Sequence, residues 1–333
     1  MVIKWFIGLD KFVPALIITI ILAWLFPEPG VYRGVIDLHK AGDVGITLIF
    51  LFYGLKLNLR KLRQDLSNWR LHLLVQFATF ILFPLLILPL LQTIGKSSAN
   101  YLIWLGFFFL AALPSTVSSS VVMVSLARGN VPGAIFNATF SSLAGIIITP
   151  LWMGIVITSG SIEYAEFSGI IVKLVLQVLV PVIAGIVLNR FLGELSAKGA
   201  ARLKLFDQMV ILLIVYRSFS ESFYLKLFEN TGSVDMLLVI TGSLALFFVV
   251  YATIKLISSK LKFNREDTIT ALFSGSKKSL IHGTVMAGII FSEMTGTGVI
   301  LMPLMVYHTL QLVLTGIIAR RKRNQLRKEE TPV

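Results

Sequence analysis

Two adjacent lysines in an apolar stretch, Lys277 and Lys278, carry the most chemical potential in this sequence; they stand in Ser274-Gly275-Ser276-Lys277-Lys278-Ser279, with His282 beyond. Burying a charge in hydrocarbon costs at least about 2.5–3.5 kcal/mol on insertion scales, so a lysine inside a membrane span usually faces a cavity or a partner. A second polar run, Pro114-Ser115-Thr116-Val117-Ser118-Ser119-Ser120, interrupts another apolar stretch. Fixed positive charge, serine hydroxyls and free helix N-termini together suit an anionic group such as a carboxylate, sulfate or phosphate. Alternatively, one ammonium serves as a built-in cation, neutralising dipoles that another protein leaves to a bound metal ion. On a regular helix Lys277 and Lys278 diverge by about 100°, whereas Ser274, Lys278 and His282 share a face; a break at Gly275 relaxes that limit. The plainer readings are serines bonded to the preceding turn, a proline that only kinks, and lysines that snorkel. Lys277 lies about 10 residues, roughly 15 Å, from the start of its stretch, which is deep for snorkelling.

The elements that position these residues follow from composition. Hydrophobic residues make up 56% of the 333 positions and charged residues 14%, a balance that fits apolar side chains facing lipid rather than one soluble core. Cysteine is absent and the four histidines are scattered, so neither disulfides nor thiolate or histidine metal chemistry is indicated. The net charge of +13 comes from short basic runs between apolar segments rather than from one basic face, which argues against nucleic acid. No buried nucleophile, base and orienting acid can be assembled, so an enzyme is not expected.

Stretches of roughly 20 apolar residues fall at about 10–27, 42–59, 69–93, 101–127, 131–158, 167–190, 205–225, 234–257, 268–292 and 296–319. The first resembles a signal-peptide core, yet no small-residue cleavage site follows, so it reads as a retained helix. Basic residues cluster around Lys56–Arg70, at Arg128, around Arg190–Lys204, around Lys255–Arg265 and at Arg320–Arg323, all on one side of a ten-span chain. The opposite loops carry Glu163, Glu166, Glu221, Glu229, Asp235 and Glu293. The positive-inside rule then places both termini in the cytoplasm and the chain in the cell inner membrane. Ten spans divide into residues 1–160, a first five-helix repeat, and 161–319, a second repeat of inverted orientation, followed by a basic cytoplasmic tail at 320–333. The polar runs occupy the fourth helix of each half. Interrupted helices at corresponding positions of two halves point to a carrier's binding site near the midplane. Pro114 and Gly275 are the expected helix breaks. Further buried polar candidates are Gln76, Asn137, Ser141, Lys173, Gln177, Arg217, His308 and Gln311, each equally suited to joining helices.

The stretch Leu126–Pro150, LARGNVPGAIFNATFSSLAGIIITP, with Val75-Gln76-Phe77 and the serines after Pro114, resembles the bile acid:sodium symporter superfamily. The SGSKKSL run at 274–280 is similar to the branch typified by the seventh member of solute carrier family ten. The resemblance implies an all-α fold of ten helices, with a panel domain and a core domain in which discontinuous helices four and nine cross. It also implies sodium sites, of which Gln76 and a serine among Ser118, Ser119 and Ser120 remain. The family's helix-nine glutamate falls on Phe273, its glutamine on Lys277, the next asparagine on Lys278 and two helix-five hydroxyl positions on Ala134 and Ala138; Ser279 keeps its type. Gln76, Ser118 and Ser119 are therefore the remaining sodium ligands, coupling to sodium is expected to be weak or absent, and the Lys277 ammonium is expected in the space of one ion.

The candidate substrate site is thus Lys277, Lys278, Ser274, Ser276, Ser279, His282, Ser118, Ser119, Ser120, Thr116, Gln76 and Asn137. The expected function is secondary transport of a small anionic organic solute by alternating access, with no cofactor unless sodium binds. The competing expectation is a transporter-like regulator or receptor that affects ion homeostasis without net transport. Expected partners are the bilayer and the solute; the sequence leaves the oligomeric state open.

Overall fold

In the computed structural model the described residues are 12–32, 37–56, 68–95, 98, 100–116, 118–158, 169, 172–173, 175–228, 232–292 and 294–330. The expected loop charges at Arg60, Lys61, Arg63, Glu163, Glu166, Glu229 and Glu293 lie outside them. Every regular element among the described residues is helical, as an apolar chain in lipid requires, since only internal hydrogen bonding satisfies its backbone there.

The elements are α1 (Phe12–Leu25), α2 (Glu28–Val31), α3 (Leu38–Lys56), α4 (Trp69–Phe77), α5 (Phe83–Thr93), α6 (Tyr101–Ala112), α7 (Ser118–Leu126), α8 (Val131–Thr158), α9 (Val180–Lys198), α10 (Ala200–Tyr224), α11 (Ser233–Lys260), α12 (Arg265–Gly275), α13 (Leu280–Ile290) and α14 (Thr297–Glu330). A π-helical turn, Ala78–Leu82, joins α4 to α5, and another, Val175–Leu179, leads into α9. Among the described residues six helical runs are long and apolar enough to cross a membrane: Leu38–Lys56, Trp69–Thr93, Val131–Ile157, Val175–Leu192, Ser233–Lys260 and Thr297–Gln325. The protein is accordingly a multi-pass α-helical membrane protein. The stretches expected as the fourth and ninth spans are each split, into α6 and α7 and into α12 and α13. The seventh keeps helical length in α10 but carries Arg202, Lys204, Asp207, Arg217 and Glu221.

Contacts divide the chain into two interleaved units. The first comprises Met1–Asn58, Met153–Gly232 and Gly283–Leu301. Within it, α3 and α9 meet at bare backbone. A Cβ on Gly54 would lie 2.2 Å from the Val182 carbonyl oxygen, and one on Gly185 would lie 2.2 Å from that of Leu51. Small residues let membrane helices approach this closely, gaining dispersion and interhelical contacts. Gly54→Ala is therefore expected to destabilise the protein by about 1–3 kcal/mol, the usual cost of overpacking, read as a lower melting temperature in detergent. An unchanged melting temperature would mean that the two helices do not touch there. Lys56 and Asp207 form an ion pair at 2.9 Å in the same unit, and the Arg217 guanidinium donates to the His39 carbonyl at 3.3 Å.

The second unit comprises Leu59–Trp152, Ser233–His282 and Met302–Val333, and every candidate site residue falls in it. Its helix α7 ends with Arg128 in the left-handed region, φ 56°. The Gly129 N–H returns to the Val124 carbonyl at 2.8 Å, and the Arg128 N–H to that of Ser125 at 3.1 Å, which satisfies carbonyls the helix end would otherwise orphan.

Candidate functional site

Proline chemistry shapes the site. Pro84 has no N–H and its ring crowds the carbonyl four residues back, so the regular ladder between α4 and α5 must open. It opens as the π-turn: the Phe83 N–H bonds to the Ala78 carbonyl, five residues back, instead of to Thr79. Two carbonyls are released. That of Phe80 accepts from Trp152 Nε1 at 2.8 Å, and that of Thr79 accepts from Lys278 Nζ at 2.7 Å.

Pro114 does the same to α6, which stops at Ala112. Buried backbone groups must find partners, and each carbonyl from 110 to 114 does. Leu110 accepts from the Leu113 N–H at 3.3 Å, Ala111 from Lys278 Nζ at 2.7 Å, and Ala112 from Thr149 Oγ1 at 2.8 Å. Leu113 accepts from Lys278 Nζ at 2.8 Å, and Pro114 from the Ser279 N–H at 2.9 Å. The Ser115 N–H, displaced from the ladder, donates to Ser141 Oγ at 2.9 Å.

The second break runs from Ser276 to Ser279, between α12 and α13. It is bound directly to the first. Ser115 Oγ donates to the Ser274 carbonyl at 2.6 Å, and Ser120 Oγ to that of Phe273 at 3.2 Å. α14 supplies the remaining partners: Gln311 Oε1 accepts from the Lys278 N–H at 2.8 Å, its Nε2 donates to the Lys278 carbonyl at 2.8 Å, and Tyr307 Oη donates to the Ser276 carbonyl at 2.7 Å. Ser279 Oγ accepts from the His282 N–H at 3.3 Å and lies 3.0 Å from its Nδ1, so that pair begins α13.

Both lysines are fully buried, and their surroundings differ. The Lys278 ammonium sits among the carbonyls of Thr79, Ala111 and Leu113, 4.1 Å from the centroid of the Phe83 ring. Among the described residues Lys277 Nζ donates to one carbonyl, that of Ser119, at 2.9 Å, within the first turn of α7. Thr116 Oγ1 and Ser119 Oγ, 3.5 Å apart, lie at the same helix start.

Among the expected site residues, Ser120, Ser274, Lys277, Lys278, Ser279 and Ser119 therefore come together around the paired breaks. Ser276 turns its hydroxyl back to the Leu272 carbonyl at 2.6 Å. The side chain of Ser118 lies outside the described residues. The shared face of Ser274, Lys278 and His282 is not formed: it needed a continuous helix, and Lys278 lies in the break while the other two belong to α12 and α13. Gln76 and Asn137 pair with each other, Gln76 Nε2 donating to Asn137 Oδ1 and to its carbonyl, each at 3.2 Å. Asn137 Nδ2 in turn reaches His72 Nδ1 at 3.0 Å and the Gly133 carbonyl at 2.9 Å. Gln76 Oε1 and Ser274 Oγ are buried without a partner among the described residues.

Phe273 and Ala134 join Val124, Ala127, Ile269 and Ala319 in one apolar cluster, so two positions that the resemblance assigns to sodium ligands are hydrophobic core. Sequence reasoning missed the backbone carbonyls of Thr79, Ala111 and Leu113. Pro84 and Pro114 were the available signal, because each proline interrupts the helical ladder around it, and the neighbouring carbonyls that the π-turn and the end of α6 leave outside the ladder need other donors. It also missed Tyr307 and gave Gln311 no specific task.

Residues 10–324 match the SBF-like CPA transporter family. The chain is 37% identical to "Uncharacterized protein PA2026" of Pseudomonas aeruginosa over 94% of its own length and 92% of that protein. It is 34% identical to "Putative symporter YfeH" of Escherichia coli K12, over 97% of this chain and 95% of that one. With "Sodium/bile acid cotransporter 7" of Danio rerio it shares 30% identity, over 93% of this chain and 92% of the relative.

Proposed function

This chain belongs to the SBF-like CPA transporter family, and from that premise we propose that it is a secondary transporter of a small anionic organic solute, working by alternating access about the paired breaks. The observation that carries the reading is Lys277: a fully buried side chain whose ammonium, among the described residues, donates to a single carbonyl in the first turn of α7. An ammonium has three donors, and the N-terminus of α7 adds free N–H groups and the positive end of its dipole. A carboxylate or sulfate seated there would complete the hydrogen bonding of Lys277 and meet Thr116 and Ser119. Ten spans in two inverted five-helix repeats, residues 1–160 and 161–319, would bring the breaks to corresponding helices, and the two contact units would then act as panel and core. The basic runs favour an inner-membrane location with both termini and the 320–333 tail in the cytoplasm.

Sodium coupling is expected to be weak or absent. Gln76, Ser118 and Ser119 alone would have to hold the ion: Gln76 is tied to Asn137 through its Nε2 and has one oxygen, Oε1, to offer, and the positions of two other expected ligands are apolar core.

The test is thermal stability against a panel of carboxylates and sulfonates beside their neutral amides, followed by uptake into proteoliposomes in sodium or choline chloride. Anions, and not amides, should raise the melting temperature, because a ligand of the folded state stabilises it, and uptake should proceed equally in both salts. Binding without uptake would support the receptor reading instead. A melting temperature indifferent to every anion would remove the anionic-solute reading.

A further inference from the structure

The second buried lysine answers a different need. Lys278 Nζ lies 2.7, 2.7 and 2.8 Å from the carbonyl oxygens of Thr79, Ala111 and Leu113, with the face of Phe83 at 4.1 Å. Three carbonyls call for three N–H donors, which an ammonium has and a neutral amine lacks. All three oxygens come from places where the helical ladder is interrupted: the π-turn ahead of Pro84, and the end of α6 at Pro114. Such unwound carbonyls are what broken membrane helices offer to a monovalent cation, and an aromatic face adds attraction for any cation.

We propose that these carbonyls and the Phe83 ring form a monovalent-cation site permanently occupied by the Lys278 side chain. The protein thus carries its cation covalently, and vacating the position creates a cation-binding protein. Oxygens at this spacing favour potassium or ammonium over the smaller sodium ion. The inference deepens the proposed weak sodium coupling, but it requires neither an anionic solute nor transport.

The experiment compares the wild type with Lys278→Ala and Lys278→Met, purified in detergent. Melting temperature is read in ammonium, potassium, sodium and choline chloride at equal ionic strength. The wild type should be indifferent to the cation. Lys278→Ala should melt lower in choline and rise saturably, by at least about 2–4 °C, in ammonium or potassium. Lys278→Met, whose side chain fills the space, should melt lower without any cation response. A saturable rise of the wild type with a small cation would overturn the proposal, and so would a folded Lys278→Ala that responds to ionic strength alone. Should Lys278→Ala fold only when made and purified in ammonium or potassium, that dependence is itself the expected result; failure to fold in every salt while Lys278→Met folds would overturn it. A failed screen of anionic solutes would leave these outcomes unaffected, so the two readings fail separately.

Discussion

Gln311→Leu should destabilise the fold by about 2–6 kcal/mol, because the side chain that fills both backbone vacancies of Lys278 is lost and each buried group left unpaired costs about 1–3 kcal/mol. Gln311 is fully buried; its Oε1 accepts from the Lys278 N–H and its Nε2 donates to the Lys278 carbonyl. Leucine keeps the volume and removes both functions. The amide is also what allows the chain between α12 and α13 to leave the helix while remaining away from water. The measurement is the thermal midpoint in detergent. Gln311→Glu serves as the companion, since it keeps an acceptor for the N–H and loses the donor to the carbonyl, and it should fall between the wild type and leucine. A leucine variant within about 0.5 kcal/mol of the wild type, the range of substitutions that disturb nothing special, would show that the break draws its stability from elsewhere.

Lys277→Met should have the opposite signature. Among the described residues its ammonium has one carbonyl partner, and it is fully buried; replacing a poorly compensated buried charge by an apolar chain of similar length is often neutral or stabilising. The melting temperature without solute should therefore hold or rise. Affinity for the anion should fall by about 10–150-fold, the equivalent of about 1.5–3 kcal/mol for a hydrogen bond to a charged group. Titration of the stabilising anion from the carboxylate panel, on both variants, reads the two effects together. Unchanged affinity would sink the role of Lys277 as the anion contact, and the remaining candidates would be the α7 N–H groups with Thr116 and Ser119.

The two lysines illustrate how far residue type alone can lead. Charge in an apolar stretch identified the pair, and Pro114 and Gly275 located the two interruptions, because a missing donor and a missing Cβ act locally and need no knowledge of the fold. Which lysine faces which partner was not legible. The expectation placed Lys277 in the space of a sodium ion, whereas the carbonyl cage surrounds Lys278. Two adjacent residues in a non-helical segment point wherever that segment turns, and its course is set by Gln311 and Tyr307 from α14, more than thirty positions along the chain. Gln76 and Asn137 were both expected at the site, and their joining to each other and to His72 is again a matter of which helix faces meet.

The sequence by itself determined a multi-pass helical membrane protein, its family through the stretch Leu126–Pro150, and the positions of the two broken helices. These follow from hydropathy, motif and backbone chemistry, all of which act over short spans of chain. Only the tertiary structure decided that the carbonyls of Thr79, Ala111 and Leu113 converge on one ammonium, and that Phe273 and Ala134 lie in a common apolar cluster. A carbonyl belongs to every residue alike and leaves no mark on residue type, so a site built from backbone becomes visible only when distant turns are brought together.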